Sequence, residues 1–346
     1  MITEAIKTLV DGRDLTSEAA HAAMMQVMAG EAGPAQISAF AVALRMKGET
    51  PDEVAGCARA MRAHATPATP SREGLVDTCG TGGDGSDTFN ISTSAALVAA
   101  AAGVPIAKHG NRAMSSRCGS ADVLEALGVR IDLPPADIAD CIDEVGFGFM
   151  FAQAHHPAMR HVAPVRRELG IRTVFNLLVP LTNPAGARRQ VMGVYDAALV
   201  APIAQVLVRL GADHALVVHG AGGLDELTPV GENLVAEVRD GEVREYTVDP
   251  RDLSTGAVPA SPDDLRVGGD PAQNASIIRT VFDGERGPRR DAVVLNAGAA
   301  LLVAGSVPDL EAGIDRAVEA IDSGAATATL DRLVEFTQRR APAAAP

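Results

Sequence analysis

The chain has 346 residues, with 30 Lys and Arg against 44 Asp and Glu and a net charge of -14. This length exceeds what one hydrophobic core usually serves, so two structural units are expected. The acidic surface argues against nucleic acid or an anionic membrane as partner, and the lack of a membrane-length apolar run or a basic-then-apolar N-terminus gives a cytoplasmic expectation.

The first seventy residues read as helices. Ile2, Ile6, Leu9 and Val10 form one apolar stripe, and Ile37, Phe40, Ala41 and Leu44 form another at i, i+3, i+4, i+7. Thr50-Pro51-Asp52-Glu53 supplies an N-cap, a proline at the first helical position and a glutamate at the third, while Gly30 and Gly48 mark stops. Residues 65–71 read as a linker. Beyond it, apolar runs at 75–78, 104–107, 147–151, 191–194, 215–218 and 293–295 alternate with helical patterns, which predicts a mainly parallel sheet with crossover helices. Residues 234–238 and 243–248 around Asp240-Gly241 predict a hairpin. The fold expected is therefore α/β: a small all-helical domain over 1–70, a large α/β domain over 71–338 with flanking helices, and a disordered tail over 339–346.

The run Asp77-Thr78-Cys79-Gly80-Thr81-Gly82-Gly83-Asp84-Gly85 places four glycines in six residues between a strand and a helix. Glycines let the backbone turn with φ > 0, so that successive N–H groups converge on an anion, as in a phosphate cradle. Ser92, Thr93 and Ser94 are placed as N-caps of the next helix, a second anion site beside the first. There is neither a Walker-type Lys-Ser/Thr pair nor a GxGxxG register. Lys108-His109-Gly110-Asn111-Arg112 repeats the pattern of strand, polar loop and helix, with Ser120 as the cap, and both loops open at the carboxyl edge of a parallel sheet. Cys57, Cys79, Cys118 and Cys141 lack CxxC spacing and indicate neither a disulfide framework nor a structural zinc site. Cys79 and Cys118 read as small side chains filling tight turns.

These residues resemble the anthranilate phosphoribosyltransferase family. The likeness is carried by Gly80-Thr81-Gly82-Gly83-Asp84, Asn90-Ile91-Ser92-Thr93 and Lys108-His109-Gly110-Asn111-Arg112. Pro164-Val165-Arg166-Arg167-Glu168-Leu169-Gly170-Ile171-Arg172-Thr173, Pro180-Leu181-Thr182-Asn183-Pro184 and Leu224-Asp225-Glu226 follow in the family's order. The resemblance implies a pentosyltransferase of tryptophan biosynthesis. Such an enzyme moves the phosphoribosyl group of phosphoribosyl pyrophosphate onto the amine of anthranilate, giving N-(5-phosphoribosyl)anthranilate and pyrophosphate. It also implies a helical domain completed by a return segment near 164–188, and a homodimer through that domain. The apolar stripes of the first helices give a further reason to expect a dimer.

By the same resemblance, Gly80, Gly83, Asp84, Thr88, Asn90, Ser92, Thr93, Lys108, Asn111, Arg112, Ser115, Ser116 and Ser120 bind phosphoribosyl pyrophosphate. Gly80, His109, Asn111, His156 and Arg166 bind anthranilate, and Ser92, Asp225 and Glu226 hold Mg²⁺, as two ions. An acidic chain needs such local devices to hold a polyanion. Glycines and helix starts offer N–H groups, Lys108 a movable point charge, and Arg166 a planar guanidinium for a carboxylate. Asp84 reads as orienting the loop or accepting from ribose or a metal-bound water, and Asp87 as a turn residue. On the residues alone, Asp225-Glu226 also fits a solvated loop and Arg166-Arg167 a solvated helix face, and His155-His156 points apart on a helix. No acid or base is assigned. A neutral aromatic amine attacks before losing its proton, so orientation and charge stabilisation carry the reaction.

Two positions depart from the family pattern. Val179 stands where glycine is usual, with φ < 0 expected, and Gly222 stands where aspartate is frequent. The rival readings are a pyrimidine nucleoside phosphorylase-like enzyme using free phosphate and a non-catalytic nucleic-acid-binding homologue. The second glycine loop and Leu224-Asp225-Glu226 speak against the first, and the acidic surface against the second.

Overall fold

Four helices open the chain in the computed structural model, which describes residues 1–113, 118–253, 260–267 and 270–340. They are α1 (Ile2–Val10), α2 (Ser17–Met28), α3 (Pro34–Lys47) and α4 (Pro51–Ala63). The start of α4 is fixed by the capping box its sequence announces. Thr50 Oγ1 accepts from Glu53 N at 3.3 Å, and Glu53 Oε2 accepts from Thr50 N at 2.8 Å. The same buried carboxylate accepts from Leu15 N and pairs with Lys47, which ties α4 to the chain before α2 and to the end of α3. Helix α2 packs on α4, and α1 on α3. The stripe Ile37, Phe40, Ala41 and Leu44 is fully buried inside the chain, so it no longer gives a reason for a partner; Val10 and Met46 are exposed.

The remaining elements follow as β1 (Val76–Gly80), α5 (Ile91–Ala101), β2 (Ile106–Gly110), α6 (Ser120–Ala126), α7 (Pro135–Val145) and β3 (Phe147–Phe151). Next come α8 (Ala152–His155), α9 (Ala163–Leu169), α10 (Val174–Leu178), β4 (Arg189–Gly193), α11 (Val200–Arg209), β5 (His214–His219), β6 (Asn233–Arg239) and β7 (Glu242–Val248). The chain closes with α12 (Pro262–Leu265), α13 (Pro271–Phe282), α14 (Pro288–Val303), α15 (Leu310–Asp322) and α16 (Ala325–Arg339). The seven strands lie in the order β3-β2-β1-β4-β5-β6-β7; the first five are parallel and β6 and β7 antiparallel. Asp240 at φ 53 and Gly241 at φ 81 make the hairpin turn between β6 and β7.

The chain runs outward from β1 through β2 to β3, then returns to the other side of β1 with β4. The carboxyl ends of β1 and β4 thus form the topological switch point, where open α/β sheets bind ligands. Helix α5 is buried nearly all round, packed against the sheet, α14 and α16. On the opposite sheet face Met192, Val194, Ala215 and Val217 share one core with Met24, Phe40 and Met61, so the helical bundle and the sheet are continuous. Helix α9 packs on α3, and α10 on α3 and α4. The linker is held as well, with Thr66 N donating to His155 O and Ala68 N to Pro184 O.

Two expectations need correction. Residues 293–295 are not a strand but one turn of α14; this sixteen-residue helix is so buried that its short apolar run carries no period of its own. The tail does not begin at 339, because Arg339 ends α16 and Arg340 pairs with Asp137 and Asp140 on α7. Residues 341–346 lie outside the described residues. No helix among the described residues is long and apolar enough to cross a membrane.

Candidate active site

Strands β1 and β4 each end in glycine, and Gly80 pairs with Gly193 in register. Asp225 lies across both. A Cβ on Gly80 would stand 2.3 Å from Asp225 Oδ2, and one on Gly193 would stand 1.5 Å from Asp225 O. No other residue permits that approach. Beyond β1, Thr81 N donates to Gly193 O at 2.9 Å, and Tyr195 N donates to Thr81 Oγ1 at 3.1 Å, so the glycine loop is stitched to the chain leaving β4. Gly82, Gly83 and Gly85 then all take positive φ. Asp84 accepts from Ser86 N and Oγ within the loop, and Asp87 turns at φ 50.

Asp225 and Glu226 follow β5 through a tight turn closed by Gly220 N donating to Leu224 O. Gly222 has φ 86 there, which disfavours an aspartate at that position. Gly82 N donates to Asp225 Oδ2 at 2.6 Å and Ser92 N to Glu226 Oε1 at 3.2 Å. Both carboxyls are pushed well above the usual carboxylate range. Burial is the first cause, followed by Asp84 for Asp225 and by Asp225 for Glu226. Among the described residues no three His, Cys, Asp or Glu side chains could hold a metal by themselves. Two hard carboxylates beside the Ser92 hydroxyl nevertheless fit Mg²⁺, which keeps waters and completes its shell with phosphate oxygens.

The helix starts differ from expectation by a residue or two. Asn90 is the N-cap of α5, so Ser92 and Thr93 are its second and third residues, and Ser94 lies within it, with its N–H on Asn90 O. Gly119, not Ser120, precedes α6; Ser120 is its first residue, with Oγ donating to Asn111 O. Asn90 Nδ2 donates to Cys118 O, joining the two loops. Thr93 Oγ1 is buried without a partner, and half-buried Thr88 bridges to Arg266. Ser115 and Ser116 lie outside the described residues.

Lys108 is not the movable charge expected. It is 1% exposed, and its Nζ donates to Thr78 O, to Thr78 Oγ1 at 3.3 Å and to Ser92 Oγ at 3.4 Å. Burial lowers its pKa, and Asp77 and Glu226 work against that shift. Arg112 faces α6 rather than the glycine loop, with Nη1 2.9 Å from Asp122 Oδ1 and 2.5 Å from Glu125 Oε2. Asn111 Oδ1 turns back to Arg112 N.

His109 and His156 meet with ring centroids 5.0 Å apart. Both are buried, and burial is the first cause that depresses their pKa values, that of His156 to about 4. They are therefore neutral imidazoles at pH 7, and His109 Nε2 has no partner. Arg166, on α9, is half-buried, its pKa is lowered by desolvation, and no carboxylate among the described residues lies within ion-pair distance. Its side chain makes no polar contact with the two histidines.

Sequence reasoning missed Asp77 and Asn183. Asp77 is fully buried in β1; Oδ1 accepts from His109 N at 3.1 Å and Oδ2 from Asn183 Nδ2 at 2.8 Å. Asn183 Nδ2 also donates to Ala107 O, which locks the return segment to β1 and β2 beneath the histidines. A carboxylate inside an otherwise apolar strand was the available signal.

The chain matches the family model described as glycosyl transferase family, helical bundle domain, over residues 3–65, and glycosyl transferase family, a/b domain, over residues 72–327. It is 54% identical over 334 residues to the anthranilate phosphoribosyltransferase of Symbiobacterium thermophilum, covering 96% of this chain and 97% of that one. The crystal structure of anthranilate phosphoribosyltransferase from Thermus thermophilus is similar with TM-score 0.91 at 51% identity, over 96% of this chain and 99% of that one. The enzyme from Saccharomyces cerevisiae, in complex with PRPP and Mg, is similar with TM-score 0.88 at 26% identity over 98% of both chains; it has also been solved with 4-fluoroanthranilate. The chain belongs to the glycosyl transferase family and, within it, to the anthranilate phosphoribosyltransferases.

Proposed function

We propose that the chain joins anthranilate to phosphoribosyl pyrophosphate at the carboxyl edge of β1 and β4, with the donor on the glycine-loop side and the acceptor beside His109 and His156. The observation that carries this reading is the convergence of Gly82 N, Ser92 N, Asp225 and Glu226 at the switch point. The loop and the first turn of α5 present N–H groups to the pyrophosphate and 5-phosphate. Ser92, Asp225 and Glu226 are the residues to hold Mg²⁺, as two ions; when bound, the metal offsets the charge that builds on departing pyrophosphate.

The amine nitrogen forms a bond to C1 as the C1–O bond to pyrophosphate breaks, the leaving group keeps the electron pair, and the nitrogen then releases a proton. Neutral His109 and His156 line the acceptor without competing for that charge, and Arg166 receives its carboxylate. Lys108 acts from beneath, holding Ser92 and the end of β1 in place. The same reading gives a cytoplasmic homodimer joined through the helical domain and binding neither nucleic acid nor membrane. Residues 1–70 and a return near 164–188 form one unit and residues from 71 the other, a division supported by α9 and α10 packing on α3 and α4. The test is loss of anthranilate fluorescence with protein, phosphoribosyl pyrophosphate and Mg²⁺ together. Persistence of the fluorescence with all three present would refute the reading.

A further inference from the structure

Arg172 stands between α9 and α10, on the segment that returns to the helical bundle, yet its guanidinium lies against residues that follow β1 and β4. Its Cζ lies 3.8 Å from the centroid of the Tyr195 ring, a stacked cation–π contact. Gly83 occupies the neighbouring position. A Cβ there would stand 2.6 Å from Arg172 Nη2, 3.2 Å from Cζ and 3.4 Å from Nε, so the guanidinium plane fills the space a side chain at residue 83 would take. Tyr195 is itself fastened to the glycine loop through its N–H on Thr81 Oγ1. Three segments that are distant in sequence are thus clasped at one point, and no carboxylate among the described residues pairs with Arg172, although the chain carries 44 acidic side chains.

We propose that Arg172 is a positioning residue that clamps the glycine loop between Tyr195 and the return segment, holding its N–H groups in their anion-binding form. This rests on the reading that the loop receives the phosphate groups of the donor. A loop of four glycines in six residues has much conformational freedom to lose, and ordering it before the donor arrives lowers the cost of binding. Lysine cannot substitute, because the guanidinium reaches both the Tyr195 ring and the space beside Gly83, which a compact ammonium does not span.

The test separates the two substrates. Arg172→Ala raises the KM for phosphoribosyl pyrophosphate about tenfold, leaves that for anthranilate within about twofold, and lowers Tm by no more than about 3 °C. Arg172→Lys recovers little of the loss, Tyr195→Phe keeps the stack and behaves as the parent, and Tyr195→Ala matches Arg172→Ala. The double variant is no worse than either single one. If Arg172→Ala does not fold, Arg172→Lys and Tyr195→Ala carry the same comparison. The chain has no Trp and only two tyrosines, so in a Tyr246→Phe background Tyr195 is the sole fluorophore of its class. Its emission changes when phosphoribosyl pyrophosphate and Mg²⁺ are added, and that change is lost with Arg172→Ala. A parent chain that turns over both substrates while Arg172→Ala shifts both KM values equally, or neither, would overturn the clamp alone. A parent chain with no turnover would overturn the clamp and the reading beneath it.

Discussion

Where β1 and β4 end, the carboxylates of Asp84, Asp225 and Glu226 repel one another, with buried Lys108 as the cation that Glu226 feels. Where the return segment meets β2, two imidazoles are held neutral by burial, and Arg166 on α9 has no acidic partner among the described residues. Each half is electrostatically incomplete in the opposite sense. On the proposed reading the donor half lacks positive charge, which a hydrated divalent ion bound to a polyanion would bring, whereas the acceptor half lacks a single carboxylate, which an aromatic acid would bring.

Acid should break the acceptor half with the largest effect. His156 is held down to about 4, by burial first and then by His155, so below about pH 6.5 the unfolded chain takes a proton that the folded chain refuses until about pH 4. Stability is therefore lost as pH falls through that window, by about 3 kcal/mol. Asp77, raised by burial to about 6, acts in the opposite sense and loses stability as pH rises. The His156→Gln variant isolates the histidine: urea unfolding at pH 7 and pH 4.5 should show the parent losing more than the variant, and parallel losses would refute the buried neutral imidazole.

The next effect belongs to the donor half. Gly193→Ala forces a Cβ onto the backbone of Asp225 and should cost about 2 to 3 kcal/mol in urea unfolding while abolishing turnover. Wild-type stability would deny the close approach. Asp225→Asn and Glu226→Gln keep volume but remove negative charge, so each should fold normally, lower kcat on the order of a hundredfold and raise the Mg²⁺ requirement. Unchanged turnover at limiting Mg²⁺ would contradict the metal assignment. Arg166→Ala should act on the other substrate alone, raising the anthranilate KM about tenfold or somewhat more through loss of a charge-assisted pair. An equal rise in the donor KM would remove Arg166 from the acceptor side.

The glycine loop was legible in the sequence because backbone chemistry leaves marks, glycines between a strand and a helix, whereas Asp225-Glu226 fitted a solvated loop as well and was read as a metal pair only through the family resemblance. The acceptor half depends on side chains brought from the return segment, and no local pattern announces such a return; His156, Arg166 and the segment near 164–188 came only with the family resemblance. Asp77 and Asn183 escaped because a buried network is defined by partners up to 106 residues apart. The strand expected at 293–295 failed for the converse reason, since a helix buried on every side shows no amphipathic period. Gly80 was assigned through the family resemblance, while its partner Gly193, which makes room for Asp225, becomes visible only through strand register.

Val179 gives the smallest expected effect. Its backbone lies at φ -57, as a β-branched residue requires, and its carbonyl accepts from Thr182 Oγ1 at 2.9 Å beside the histidines. Val179→Gly should shift the anthranilate KM by about twofold while the donor KM stays constant. Equal shifts would point instead to motion between the two units.

The contrast between the halves is tested most directly by calorimetric titration of phosphoribosyl pyrophosphate into the parent chain and into the Asp225→Asn/Glu226→Gln variant, each with and without Mg²⁺. Affinity in the parent should rise strongly with Mg²⁺, and the variant should lose most of that gain while anthranilate binding is unaffected. An identical Mg²⁺ response in both chains would contradict the assignment of the buried carboxylates to the donor's metal.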